Sequence, residues 1–227
     1  MTVTRFSPSV ESKPIREIAY DTLKRAIING ELPAGIRIVE TEYADRMHIS
    51  RTPLREALRK LERDGLVEYV LRRGVVVRAF TLADVEEIYT IRNALEMLTL
   101  PAIVENATPD NLSPLHELLH RMDGLQEQDN IEALSPLARA FHSRLTAISG
   151  LNRILRVIEG QDEYITRFSA LSIAKESRRY AAHAEHHQLV EFVEKKDLPG
   201  FEQLMQKHIE RSKENCLKAL AEQKFGK

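Results

Sequence analysis

The sequence predicts a mainly α-helical protein in two parts: a small unit of three helices and a β-hairpin, followed by an antiparallel helical bundle. Two observations predict this. Residues 15–78 carry three helical patterns and then two short β-prone runs, whereas almost no β-like alternation occurs from residue 81 onward. The expected divisions are a disordered N-terminus over residues 1–13, a first domain over 14–79 and a second over 80–227.

The segment from Ser50 to Gly65 predicts a helix with one apolar and one basic face. Ser50 or Thr52 is suited to cap it, and Gly65 to end it. The apolar positions recur at helical spacing, and arginines recur every four residues on another face: Leu54, Ala57, Leu58, Leu61 and Arg51, Arg55, Arg59, Arg63. Such a helix can pack on a core while its guanidinium groups contact phosphates and base edges. Because arginine stripes also occur on ordinary solvated surfaces, the flanks decide between the two interpretations.

The flanking segments favour DNA binding. A short helix precedes the basic helix across a tight turn, which predicts a helix–turn–helix. A hairpin with two arginines at its tip follows, which predicts a wing. The expected segments are helices at 15–29 and 38–47, the turn 48–50, and hairpin strands at 66–70 and 75–78.

Residues 14–78 resemble the winged helix of the GntR-type transcription regulators. The matching pieces are INGELPAGIRI, SRTPLREALRKLERDGLVE and RRGVVV, in that order and spacing. In that family, arginines matching Arg51 and Arg55 contact operator DNA, and a wing matching residues 72–74 reaches the minor groove. Thr41 stands where the family's fatty-acid-responsive member has another DNA-contacting arginine, so the base preference is expected to differ. The DNA-binding residues expected here are Arg51, Thr52, Arg55, Arg59, Arg72, Arg73 and Gly74.

The charge distribution agrees with a nucleic-acid-binding N-terminal domain followed by a second domain of a different kind. Residues 1–78 hold 15 Lys and Arg against 11 Asp and Glu, a net charge of +4. The remainder holds the other 18 of 33 basic and 23 of 34 acidic residues, a net charge of −5. A single cysteine, Cys216, indicates a reducing compartment. Because no signal peptide and no apolar run of about 18–20 residues is found, we expect a cytoplasmic protein without membrane association, at the nucleoid when bound to DNA.

The second domain is expected to be an antiparallel helical bundle with an interior able to hold a ligand. Thr81 predicts a capped helix start, and Thr108 and Ser135 each precede a proline suited to a first helical turn. Pro101 is expected to kink the first helix. The predicted helices are 82–106, 109–127, 136–148, 151–174, 176–196 and 198–223.

Residues 82–223 resemble the FCD ligand-binding domain found behind the winged helix in the FadR branch of the GntR regulators. The pieces that carry the resemblance are IYTIRNALE, AFHSRL, ISGLNRIL, AEHHQLVEFVEKKD and MQKHIERS. Many members bind a divalent metal through an aspartate and three histidines. Motif alignment gives the histidines as His142, His186 and His208, but the aspartate position is Ala138, a departure from the pattern. Without the resemblance, histidines this far apart in sequence would be interpreted as surface residues.

The missing aspartate leaves two interpretations open. Three neutral imidazoles suit Zn²⁺ or Ni²⁺ and leave coordination positions for water or a ligand. With Ala138 the ion keeps its full +2 charge, so it would be bound less tightly but would attract an anion more strongly. We therefore expect a three-histidine metal centre that accepts a carboxylate-bearing metabolite. The alternative is that the site holds no metal and the histidines contact the effector directly.

Two arginines are candidates for binding the effector's carboxylate. Arg92 matches the arginine of the family's first bundle helix, and its planar fork suits a carboxylate if it points inward. The alternative is a surface ion pair with Glu96, four residues further on. Arg167 is the second candidate, and His183 and His187 are expected to be peripheral.

These features together predict a homodimeric, ligand-responsive transcription regulator, expected to repress and to be released by a small carboxylate metabolite. Two winged helices on a two-fold axis double the base contacts and read a palindrome. One alternative is a metal-dependent helical-bundle enzyme, although no motif places a carboxylate as general base. The other is a DNA-binding protein whose bundle only dimerises.

Overall fold

The chain forms two compact units, one ending at Phe80 and the other beginning at Thr81. The computed structural model describes residues 13–172 and 176–225; within these ranges the side chains at 131–132, 162–163, 165–167, 169–172 and 223–225 are outside the description. The N-terminal disorder expected up to residue 13 therefore falls almost wholly outside the described residues. In the part of the chain that is described, no helix has the length and apolar character needed to cross a bilayer.

The first unit combines three helices with a three-stranded antiparallel sheet. Its elements are α1 (Ile15–Ile28), β1 (Arg37–Ile38), α2 (Glu40–Arg46), α3 (Arg51–Arg63), β2 (Val67–Val70) and β3 (Gly74–Val77). The strand order is β1-β3-β2, so the hairpin β2–β3 forms the predicted wing and β1 adds a third strand. The prediction that Ile38 starts the second helix was wrong. Ile38 is buried opposite Val75 in β1, because pairing with a strand 37 residues later overrides the local helical pattern.

Helix α3 packs through the predicted apolar face. Leu54, Leu58 and Leu61 are completely buried, and α3 contacts both α1 and α2. Beyond the helix, Gly65 has a φ of +70°, a left-handed conformation that glycine adopts without strain. Arg78 Nε donates a hydrogen bond of 2.8 Å to the Gly65 carbonyl, which ties the chain after β3 to the end of α3.

The turn between α2 and α3 is closed by its own backbone. The Ile49 amide donates to the Ala44 carbonyl at 3.0 Å, and the His48 amide donates to the Asp45 carbonyl at 3.1 Å. His48 has a φ of +53°, which reverses the chain within three residues. The helix–turn–helix arrangement is therefore confirmed.

The second unit is a bundle of helices. They are α4 (Leu82–Asn106), α5 (Pro109–Glu127), α6 (Ile131–Ala147), α7 (Asn152–Ser172), α8 (Glu176–Glu194) and α9 (Leu198–Phe225). Helix α4 packs against α6, α7 and α9, while α8 packs against α5 and α9. Thr81 and Thr108 form capping boxes at the starts of α4 and α5, as the sequence predicts. Fully buried aromatic side chains fill the core: Tyr89, Phe141, Phe168 and Phe201.

Helix α6 begins earlier than predicted. Asn130 caps it by accepting a hydrogen bond of 3.2 Å from the Ala133 amide, so the helix starts at residue 131 rather than at Pro136. Pro136 then lies in the second turn, where it removes one backbone donor from the helix. Helix α4 continues through Pro101 to Asn106, as predicted.

Gly200, in the first turn of α9, lies too close to α8 for a larger residue. A Cβ there would be 2.5 Å from Phe192 Cε1 and 2.6 Å from Asp197 Oδ2. We expect Gly200→Ala to lower the free energy of unfolding by about 1–2 kcal/mol through overpacking, as measured by denaturant titration. Gly160→Ala is the matched control, because nothing lies within 4 Å of its Cβ position in α7. That variant should instead be more stable by about 0.5–1 kcal/mol, and equal stability of the two variants would contradict the packing.

Candidate functional site

The exposed face of α3 carries the arginines that the sequence predicts to contact DNA. Arg51, Thr52, Arg55 and Arg59 are all exposed. The Arg55 guanidinium is held by Glu40 at the start of α2, with Nη2–Oε2 and Nε–Oε2 distances of 2.7 and 3.1 Å. This hydrogen bonding from Arg55 holds the pKa of the Glu40 carboxyl below its usual range. Glu40, which sequence reasoning missed, therefore fixes the direction of Arg55.

The wing presents two more guanidinium groups at its tip. Arg72 and Arg73 are exposed between β2 and β3, and the Arg73 amide donates to the Val70 carbonyl at 3.0 Å. Arg72 and Gly74 both have positive φ, +65° and +79°. Gly74 thus serves the turn that projects the two arginines, as hairpin turns generally require at such positions.

The three predicted histidines meet inside the bundle, although they come from α6, α8 and α9. The ring centroids of His142, His186 and His208 form a nearly equilateral triangle with sides of 5.1, 5.1 and 4.9 Å. His142 Nε2 and His208 Nε2 are 3.2 Å apart, and one ring nitrogen from each of the three lies within 4.8 Å of the others. His186 and His208 are buried and His142 is half-buried.

Two carboxylates lie behind the triangle, and Glu185 orients His208 by a hydrogen bond. Glu185 Oε2 accepts a hydrogen bond of 2.7 Å from His208 Nδ1, which leaves the lone pair of His208 Nε2 facing the triangle. Glu185 is itself held by Arg178 and Arg211, at 2.9 and 2.6 Å. Glu96 Oε2 lies 3.7 Å from His142 Nδ1, too far for a hydrogen bond.

Burial keeps the imidazoles neutral. Burial, reinforced by the nearby positive charge of Arg92, lowers the pKa of His142 well below its ordinary value, and burial also lowers the pKa of His186 well below its ordinary value. Burial also lowers the pKa of His208, with hydrogen bonding to Glu185 working in the opposite direction. For Glu185, burial would raise the pKa, but hydrogen bonds from His208 and Arg178 outweigh it and bring the pKa to about 2. The result is three neutral nitrogen donors backed by an ionised carboxylate, the form in which histidine binds metals.

The geometry of the triangle fits a divalent ion. Imidazole rings bound at about 2.1 Å with tetrahedral angles would have centroids about 5.2 Å apart and nitrogens about 3.4 Å apart, close to the separations found. Moreover, Nδ1 of His186 is buried without a hydrogen-bond partner, and buried unpaired nitrogens are costly. Ala138, one turn before His142, offers no ligand atom, so the donor set of the triangle is three neutral imidazoles.

The structure describes the side chain of only one of the two candidates for binding the effector. Arg92 and Glu96 do form an ion pair, with Nε 2.6 Å from Oε1, but the pair lies inside the bundle rather than on the surface. Arg92 therefore points inward, beside the histidine triangle whose pKa values it influences. The side chain of Arg167 is outside the described residues. His183 and His187 do not join the triangle, and both contact Asp123 instead.

Comparison with known proteins agrees with both units. Residues 15–77 match the family described as bacterial regulatory proteins, gntR family, and residues 87–211 match the FCD domain. An uncharacterized HTH-type transcriptional regulator of Bacillus subtilis, YdhC, is 30% identical over 210 residues, covering 90% of this chain and 92% of that protein. The HTH-type transcriptional repressor RspR of Escherichia coli is 26% identical, covering 95% and 93%. The solved structure of E. coli McbR/YncC shares the fold, with a TM-score of 0.69, 23% identity, and coverage of 88% and 95%.

A winged helix with an exposed basic face, joined to a helical bundle with an enclosed polar site, defines a DNA-binding transcription regulator. The chain belongs to the GntR family of such regulators and carries an FCD domain. Members of this family bind operator DNA and typically dimerise. Since the relatives are transcription regulators, the protein is a regulator and not a metal-dependent enzyme.

Proposed function

We propose that the protein is a homodimeric regulator that binds a palindromic operator and responds to a small carboxylate held in its bundle. The observation that carries this proposal is the buried triangle of His142, His186 and His208. Buried polar rings cost stability unless they are partnered, so a bundle that only dimerised would gain nothing from them.

On the DNA side, the proposal rests on exposure and charge. The basic face of α3 enters the major groove, and the wing tip contacts the minor groove. Arg51 and Arg55 are the principal contacts, because they lie in the first two turns of α3, where recognition helices meet base edges. The remaining members of the proposed DNA-binding set are Thr52, Arg59, Arg72, Arg73 and Gly74.

In the bundle, the proposal is that the triangle holds Zn²⁺ or Ni²⁺. The ion would supply a Lewis-acidic centre with open positions. Three neutral imidazoles leave its +2 charge uncompensated, and the buried cation Arg92 is already paired with Glu96. The net positive charge favours an anionic ligand such as a carboxylate. Arg92 would bind the far end of that ligand or orient it, and Arg167 remains a second candidate.

The regulation follows from linkage. If the effector binds one arrangement of the bundle better, it shifts the spacing of the paired winged helices and changes operator affinity by about 1–3 kcal/mol. A dimer is favoured by the need for two half-sites, and exposed Ile91 and Leu98 on α4 suit contact between copies. We propose repression released by the effector; the similar RspR is named a repressor. Such a regulator acts in the cytoplasm, at the nucleoid when bound to DNA.

The test is a titration of the promoter beside the protein's own coding region, followed by fluorescence anisotropy at about 50 and 200 mM salt. We expect selective binding that weakens with salt and is reversed by a small acid, identified by native mass spectrometry of the purified protein. Operator binding without any response to acids would mean that the bundle only dimerises. No binding to the promoter or to random genomic fragments at the lower salt concentration would refute the whole proposal.

A further inference from the structure

A second cluster of metal-ligating groups lies outside the triangle, where α5 packs against α8. Asp123 Oδ1 is 2.5 Å from His183 Nε2 and 3.1 Å from His187 Nε2. The two Nε2 atoms are 3.3 Å apart. Three potential ligand atoms thus converge from two helices onto one point, which we call the outer cluster.

Helix geometry explains the convergence. His183 and His187 are four residues apart on α8, the spacing that puts two imidazoles on one helical face, as in helical zinc motifs. Asp123 comes from α5, which packs against α8. The nitrogen separation of 3.3 Å is close to the roughly 3.4 Å between two imidazole nitrogens on a tetrahedral ion. The Asp123–His183 distance is that of a short hydrogen bond and would lengthen to about 3.3 Å around a tetrahedral ion.

The three side chains of the outer cluster have the chemistry to bind a metal ion, and the cluster is accessible to solvent on one side. Two imidazoles and one carboxylate are a common ligand set for divalent transition metals, with positions left open. His183 is buried, whereas the Asp123 and His187 side chains are 42% and 47% exposed. A surface cleft of about 480 Å³, lined also by His120 and Glu127, opens beside Asp123 and His183.

The outer cluster shares a helix with the triangle but no ligand. His183 and His186 lie on α8 with ring centroids 6.5 Å apart, and the two groups of ligand atoms are separate. We propose that Asp123, His183 and His187 form a second site for a divalent transition metal such as Zn²⁺ or Ni²⁺, open to solvent, which clamps α5 to α8.

The experiment titrates Zn²⁺ and Ni²⁺ by isothermal calorimetry into the full chain, stripped with EDTA and dialysed. We expect two ions per wild-type chain and one per His187→Ala or Asp123→Asn chain. The matched control is His116→Ala, since His116 also joins α5 to α8 through a single carboxylate, Glu194, at 2.8 Å. That control should still bind two ions.

A variant whose triangle has been disrupted separates this inference from the proposed role of the triangle. A His142→Ala/His208→Ala chain should retain one ion, lose it when His187→Ala is added, and gain melting temperature with Zn²⁺ only while His187 is present. One ion in the wild type and none in His187→Ala would support the outer cluster and refute metal binding by the triangle. A folded His142→Ala/His208→Ala chain that binds no ion, or a His187→Ala chain that still binds two, would overturn the inference.

Discussion

Replacing Arg51 and Arg55 together by alanine is expected to weaken operator binding by at least about 100-fold. Each arginine that contacts a phosphate or base edge contributes about 1–3 kcal/mol, and a dimer loses each contact twice. Arg55→Ala alone should cost about 1–3 kcal/mol in each half-site. Both side chains are exposed, so the fold of the winged helix should be unaffected. Anisotropy titration with the promoter fragment measures the loss, and the salt dependence should become shallower.

The control must remove the same charge from the same domain without touching α3 or the wing. Arg25→Ala does so, because Arg25 is exposed in the last turn of α1 and bonds only locally, to the Asp21 carbonyl at 3.4 Å, among the contacts described for it. It should bind the operator almost as the wild type does. Arg55→Lys keeps the charge but loses the planar fork that Glu40 orients, so it should lose base selectivity more than affinity. An unchanged titration for the double alanine variant would mean that α3 is not the recognition helix.

The parts of the fold that sequence predicted well are those set by local chemistry. The buried face of α3 follows from the spacing of Leu54, Leu58 and Leu61, and the starts of α4 and α5 follow from Thr81 and Thr108. Strand β1 could not be predicted in this way, because its two residues carry no periodicity and depend on a partner strand far along the chain. The start of α6 was misplaced because proline was given more weight than the cap at Asn130.

The residues of the candidate site likewise divide into those that local sequence predicted and those that depend on packing between helices. Motif resemblance gave His142, His186 and His208, but only the packing of three helices brings their rings together. Glu185 was missed, since its partners include His208 and Arg211 on another helix. The sequence interpretation treated a pair of Arg92 with Glu96 as a surface ion pair, whereas the pair is buried. The apolar residues Tyr89 and Leu100, on the same helix α4, could have indicated that this face points inward.

His208→Ala is expected to lower the affinity of the triangle for Zn²⁺ or Ni²⁺ by at least about 100-fold, because loss of a supporting residue alone typically costs 10–100-fold. His208 is the ligand whose tautomer Glu185 fixes, so Glu185→Gln should show the smaller, supporting-residue effect. Competition with a chelating dye, in the His187→Ala background so that the outer cluster does not contribute, measures both. The stability gained from saturating metal, about 2.7 kcal/mol at 100 times Kd, should disappear in His208→Ala.

Ala138→Asp tests the metal centre in the opposite direction, by adding a ligand instead of removing one. Ala138 lies one helical turn before His142, so an aspartate there would add the carboxylate that the family pattern has and this chain lacks. It should raise metal affinity and lower affinity for an anionic effector, because the ion's charge falls from +2 to about +1. Wild-type protein purified without chelator that holds less than about 0.2 ion per chain, and gains no thermal stability from Zn²⁺ or Ni²⁺, would contradict the metal centre. The three histidines would then contact the carboxylate directly, and Ala138→Asp would repel it without any gain in metal binding.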